Sequence, residues 1–290
     1  MKFFDLHCDT ITECYLKNKF LKNNDLDVSL DKADFLEEWV QVFAIWMPDE
    51  LRGRDAEDYY EKVLLKYNEE LNDAKNVKSI LAVEGASALG GNLENIEKLY
   101  ADGVKIVTIT WNKENELASG CFSENDAGLT AFGKEAIKEM VKRKIVPDVS
   151  HLGEKGFFDL CETTDFPFIA SHSDAERINS HPRNLKDEQI KIICQRKGLI
   201  GLNFYNRFLG EGNSVEMLIK HAEHILSLDG EDSLALGSDF DGCSINPEIK
   251  GIEKMQNLYH SFEKHFGKKL AEKIFFENAE RYFNSQVFTN

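Results

Sequence analysis

The chain has 290 residues, 42% of them hydrophobic, and 51 acidic against 35 basic side chains give it a formal net charge of −16. Such an acid excess repels phosphate backbones and anionic headgroups, which argues against nucleic acid and a membrane surface as partners. No apolar run reaches the roughly 20 residues of a membrane span, and charge interrupts the N-terminal MKFFDLHCDTITECYLKNKF too early for a secretion signal, so a cytoplasmic protein is expected.

The first β-rich run, FFDLHC over 3–8, leads into His7 and Asp9. Side chains two apart on a strand share a face, so imidazole and carboxylate can converge as a metal pair; alternatively His7 ends the strand and Asp9 starts a turn. Cys8, between them, faces the other way and reads as a structural thiol. Further runs follow at VQVFAIW (40–46), SILAVE (79–84), KIVTIT (105–110), IVPDVSH (145–151), FPFIASH (166–172), LIGLNF (199–204) and SLALGSD (233–239). Helical periodicity falls between them at 55–71, 92–103, 129–144, 185–198 and 214–230, with Gly103, Gly198 and Gly230 as left-handed helix stops. GEKGFF and GNLEN read as loop punctuation, and IFFENAERYF near the end as a docking helix with Phe275, Phe276 and Tyr282 facing the core. Eight strands alternating with helices predict an α/β fold, a (β/α)₈ TIM barrel forming one domain over 1–290, with an open doubly wound sheet as the alternative. Cys8, Cys14, Cys121, Cys161, Cys194 and Cys243 lack metal-finger spacing and read as reduced thiols.

Barrel enzymes carry their chemistry where strands end. Here His7 and Asp9 close the first run, Glu84 the third, His151 the fifth, His172 the sixth and Asp239 the eighth. Singly, Glu84 reads as a loop acid and His151 or His172 as a core histidine. Together they form the cluster a metal site requires, because a buried carboxylate needs a cation. His, Asp and Glu donors without Cys suit zinc or another divalent first-row ion, and five ligands serve two ions if one carboxylate bridges. His221 and His224, three apart on a predicted helix, read as packing or solvent contacts. His181 reads as orienting Arg183, and Asp241 as a loop acid.

HxD after the first strand, the isolated Glu84, DVSHLG, ASHSDA, HPRNL and GSDFDG, in this order over residues 3 to about 285, resemble the membrane (renal-type) dipeptidase family, peptidase family M19, a branch of the amidohydrolases. The resemblance implies two Zn²⁺ ions, one on His7 and Asp9, the other on His151 and His172, bridged by Glu84. It implies that Asp239 faces the free amine of a dipeptide and handles protons, and that Arg183 takes the terminal carboxylate. A metal-bridging hydroxide would attack the peptide carbonyl, and the two charged ends would measure substrate length. Mammalian relatives carry a substrate-contacting histidine where this chain has Trp111. The indole of Trp111 or the amide of Asn112 is then the expected donor to the carbonyl oxygen, or Trp111 is a pocket wall. The resemblance also implies a homodimer and tolerance of a C-terminal D-residue. Competing expectations are another amidohydrolase activity, such as N-acyl amino acid deacylation, and a metal-binding barrel whose chemistry has lapsed.

Overall fold

Eight parallel strands close on themselves in the computed structural model, which describes residues 1–72, 74–212 and 214–288. They are β1 (Lys2–Cys8), β2 (Glu38–Trp46), β3 (Lys78–Glu84), β4 (Val104–Thr108), β5 (Val146–Asp148), β6 (Ile169–Ala170), β7 (Leu199–Leu202) and β8 (Leu234–Leu236). Their order round the barrel is their order in the chain, and β8 returns to β1 through Asp5 opposite Leu236. Closure removes both sheet edges, so the (β/α)₈ expectation stands and the open sheet does not.

The helices are α1 (Thr10–Leu16), α2 (Gly53–Leu71), α3 (Asn95–Ala101), α4 (Ala131–Lys142), α5 (Glu154–Thr163), α6 (Asp187–Gln195), α7 (Asn206–Leu209), α8 (Ser214–Leu226), α9 (Met255–Phe266), α10 (Lys268–Glu272) and α11 (Asn278–Gln286). GEKGFF is no loop: it opens α5, where complete burial of Phe157 and Leu160 outweighs the helix cost of its glycine. Two of the three expected helix stops also move. Gly103 takes the left-handed conformation, but Lys197 and Asp229 adopt it in place of Gly198 and Gly230. Gly198 is needed for closeness instead, since a Cβ there would lie 2.0 Å from the Phe168 carbonyl oxygen. The docking helix forms as α10 and α11 joined by a π turn, Lys273–Glu277, and buries Phe275, Phe276 and Tyr282.

Two apolar clusters divide the core. One draws on every strand, with Phe4 and Leu6, Val42 and Ala44, Ile80 and Ala82, Ile106, Val146, Ile169, Leu199 and Ala235, and fills the barrel together with Phe276, Tyr282 and Phe283. The other packs the alternate strand residues against the helices. Glu84 continues the inward series of Ile80 and Ala82 on β3, so its carboxylate rises from the barrel floor.

The first strand departs from simple alternation. With Phe4 and Leu6 inside, a regular strand would turn His7 outward. The pairing of β1 with β2 slips, however: Asp5 faces Gln41 and Cys8 faces Phe43, so three steps on β1 match two on β2. This bulge brings His7 inward and leaves Cys8 buried in the outer cluster. The last four strands are shorter than the apolar runs suggest. His151, His172 and Asp239 therefore stand on loops just beyond β5, β6 and β8. His151 (φ 68°) and Asp239 (φ 60°) both lie in the left-handed region, which halts the ladder at a cost of about 1–3 kcal/mol each.

Candidate metal centre and substrate cavity

Glu84 is the hub. Its Oε1 lies 2.9 Å from His151 Nε2 and 3.4 Å from His172 Nε2, and its Oε2 lies 3.7 Å from His7 Nε2. His7 Nε2 is in turn 3.4 Å from Asp9 Oδ2, and the His151 and His172 Nε2 atoms are 3.0 Å apart. Donor atoms of His7, Asp9 and Glu84 form one compact group, and those of Glu84, His151 and His172 another. Five residues separated by up to 165 positions thus meet as the strand ends suggested, all of them buried. His7, His172 and Asp239 form a third such group, so the Asp239 carboxylate touches the same cluster.

The donor set fits cations. His151 Nδ1–H donates to Asn112 Oδ1 at 3.0 Å and His172 Nδ1–H to Ser171 Oγ at 2.7 Å, which leaves both Nε2 lone pairs facing each other and the Glu84 carboxylate. Burial, and then neighbouring positive groups, hold both imidazoles well below their ordinary pKa, so neither gains a second ring proton near neutral pH. Burial likewise raises Glu84 well above the usual carboxylate range, and Asp9 beside it adds to the rise. Burial would also keep His7 neutral, but the charges of Glu84 and Asp9 outweigh it and lift His7 to about 10. His7 Nε2 and Asp9 Oδ1 are buried without a hydrogen-bond partner. Acceptors aimed at one another and orphaned ligand atoms are what divalent ions would satisfy.

The supporting shell explains the aim of His172. Ser171 Oγ donates to Asp148 Oδ2 at 2.6 Å while receiving His172, and Asp148 also accepts from Thr108 Oγ1 and the amides of Ser150 and Ser171. Across the barrel Asp5 accepts from the amide and hydroxyl of Ser238 and from Gln41, and Ser238 Oγ lies 3.2 Å from the His7 carbonyl, so this network holds the main chain of β1. At Gly242 a Cβ would stand 2.0 Å from Asp9 Oδ2, so a side chain there would push the Asp9 carboxylate aside. Ser171→Ala removes the atom that sets the His172 tautomer. Metal affinity should fall about 10–100-fold, read by chelator competition, with little change in the far-UV spectrum.

A cavity of about 620 Å³ opens over the cluster, lined by Asp9, Glu84, His151 and Asp239 with Trp46, Trp111 and Asn112 on one side and Tyr205, Arg207 and Phe208 on another. Trp111 packs edge-on to Trp46 at 4.9 Å as a wall. Asn112 commits its oxygen to His151, a role the sequence did not suggest. Asp239 Oδ2 accepts from Asn203 Nδ2 at 3.0 Å. Arg183 sits in an adjoining cavity of about 380 Å³ that shares His151 and His181 with the first. Its Nη2 donates to the His172 carbonyl at 3.3 Å, its guanidinium lies 5.2 Å from the Phe208 ring centroid, and its Nε is buried without a partner. His181 Nδ1 accepts from the Arg183 main-chain N–H at 3.1 Å. His221 and His224 stay off the site, on the Ala175 and Leu209 main chain and on Asp187. Asp241 is a loop acid that accepts from Thr10 Oγ1 and from the Asp27 amide.

Asp5, Asp148, Ser171 and Asn203 escaped the sequence reading. The first two had a signal of the kind that marked Glu84, a carboxylate inside an apolar run two or three residues before a site histidine.

A family model described as Membrane dipeptidase (Peptidase family M19) matches residues 1–288. The chain is 32% identical over 205 residues to an uncharacterized protein encoded in a pqqA 5′ region of Klebsiella pneumoniae, covering 67% of this chain and 76% of that one. It is 30% identical over 218 residues to an uncharacterized dipeptidase of Schizosaccharomyces pombe, covering 68% of this chain and 52%, about half, of that longer protein. Among solved structures it resembles a metallopeptidase from Rhodobacter sphaeroides liganded with a phosphinate mimic of the dipeptide L-Ala-D-Ala, at 22% identity and a TM-score of 0.90 over 99% of each chain. No helix among the described residues is long and apolar enough to cross a membrane.

Proposed function

This chain belongs to the membrane dipeptidase family, peptidase family M19, and from that premise we propose that it is a zinc dipeptidase that cleaves free dipeptides, including those with a C-terminal D-residue. The observation that carries the reading is the convergence of His7, Asp9, His151 and His172 on Glu84. His7 and Asp9 would hold one ion and His151 and His172 the other, with Glu84 shared; nitrogen and oxygen donors without thiolate suit zinc. Bound there, two such ions supply Lewis acidity, which acidifies water and polarises a carbonyl oxygen.

The protein's own groups do the rest. Asp239 takes the substrate ammonium and, through the oxygen that Asn203 does not hold, carries the proton given up by the attacking water to the departing amine. Arg183 takes the α-carboxylate as a two-pronged donor. A longer or blocked peptide would bury one of these charges unpaired, so the pair selects dipeptides. Trp46 and Trp111 keep water from one flank. The L-Ala-D-Ala mimic held by the Rhodobacter relative supports tolerance of a D-residue. Six free thiols fit a reducing, cytoplasmic setting.

The test is metal content per chain measured beside hydrolysis of L,L, L,D and N-acetylated dipeptides and of tripeptides, before and after chelation. Free dipeptides should be cleaved and chelation should stop it. A deacylase would prefer the acetylated members, and equal turnover of tripeptides would refute the length rule.

The pH profile tests Asp239. Burial raises its pKa to about 6, with His7 opposing the rise and Asp9 adding to it. Amine binding needs the carboxylate, so kcat/KM should climb with pH and level off above about 6, with bound ions drawing the midpoint lower. Asp239→Asn should erase that limb and cost about a hundredfold or more in rate; an unaltered limb would remove Asp239 from the role.

A further inference from the structure

Among the charged side chains that line the large cavity, Asp9, Glu13, Glu84, Asp239 and Asp241 are acids and Arg207 is the one cation. The acids come from the residue between β1 and α1, from α1, from β3 and from the loop after β8, and each has a partner or a role: Glu13 pairs with Lys17, and Asp241 with Thr10 and the Asp27 amide. Arg207 differs. Its guanidinium has no ion pair or hydrogen bond among the described residues, and its side chain is exposed at the cavity wall.

Its mounting is nonetheless firm. Asn179 Nδ2 donates to the carbonyls of Arg207 and Phe208, at 2.7 and 3.0 Å, and Asn184 Nδ2 to that of Phe208 at 2.9 Å, so α7 is pinned from two sides. The neighbouring wall is aromatic. Phe208 lies 4.7 Å from Tyr205 and 4.6 Å from His181, which meets Phe122 at 6.1 Å. Arg207 is on the same side as Arg183: the Arg183 guanidinium covers the Phe208 ring, and His181 is held below its ordinary pKa by burial and then by the charges of both arginines.

We propose that Arg207 binds a carboxylate on the side chain of the substrate's C-terminal residue, so that the preferred substrates are dipeptides ending in Asp or Glu. This rests on the dipeptide reading above, in which Arg183 takes the main-chain carboxylate. Two guanidinium groups on the Phe208 and His181 side, Arg207 at the large cavity and Arg183 in the one adjoining it, match two carboxylates on one residue, and a planar fork suits each. The overall charge of −16 repels such a substrate at long range, so the preference is a contact effect that acts on KM.

The experiment compares kcat/KM for Ala-Glu with Ala-Gln and for Ala-Asp with Ala-Asn, in both configurations of the second residue, on zinc-loaded wild type, Arg207→Gln and Arg207→Lys. Wild type should favour the acid over its amide about tenfold, the low end for a charge-assisted hydrogen bond, mostly through KM and less so at high salt. Arg207→Gln should bring the ratio close to one, and Arg207→Lys should restore part of it. A wild-type ratio of one or less, or an Arg207→Gln loss equal for acid and amide, overturns the proposal while leaving the dipeptidase reading in place. No turnover of any of these dipeptides overturns both.

Discussion

Glu84→Gln should empty the site and stop turnover while making the metal-free protein more stable. The substitution keeps the shape of a side chain that is 3% exposed and removes the charge on which three imidazoles converge. With metal present, a neutral amide cannot serve as a shared anionic ligand. Bound ions should fall below two per chain, and kcat by at least about a hundredfold, the scale for losing one electrostatic stabiliser. Without metal the same carboxylate is a burden, because burial and the nearby Asp9 raise its pKa well above the ordinary 4.5. A carboxyl with a raised folded-state pKa stabilises most below its unfolded value and loses that contribution as pH rises. The advantage of Gln should therefore be small below pH 4.5 and grow above it, to about 1–4 kcal/mol. Thermal midpoints with chelator and with zinc, beside metal counts, decide it. A variant that keeps two ions and wild-type turnover would refute the central role of Glu84.

Arg183→Met should cost about 10²–10³-fold in kcat/KM, the equivalent of roughly 3–4 kcal/mol for a buried cation that pairs with substrate. Arg183 is 4% exposed, yet among the described residues its guanidinium hydrogen-bonds only the His172 carbonyl, lies over the Phe208 ring and leaves its own Nε without a partner. Such a group is expensive until a carboxylate arrives, so the loss should fall mainly on KM. A dipeptide amide supplies the control. Wild type should cleave it as poorly as the variant cleaves the free acid, and the variant should treat acid and amide alike, the coupling expected of partners in direct contact. If the variant still favours the free acid as wild type does, the carboxylate is held elsewhere.

Both predictions concern residues legible in the sequence, in different ways. Glu84 breaks a local pattern by ending an apolar strand, whereas Arg183 was marked only by the family resemblance of HPRNL. What lay around them was not visible. Arg207 reads from its neighbours as one more surface cation, and nothing in TWN shows that Asn112 would turn its oxygen to His151. Ser171 and Asp148 are ordinary residues until β5 and β6 bring them within 2.6 Å.

The chain by itself determined the alternation of eight strands and helices, the closed barrel this favours, and the residue types gathered at one rim. Those are consequences of side-chain period, which is a local property. Only the tertiary structure decided where the side chains aim. Strict alternation would have turned His7 away from the barrel, and a one-residue slip of β1 against β2 turned it back. His151 and Asp239 reached the cluster by accepting left-handed backbone that their own strands would not impose. Register and backbone strain depend on packing across the whole barrel, so no window of the sequence contains them.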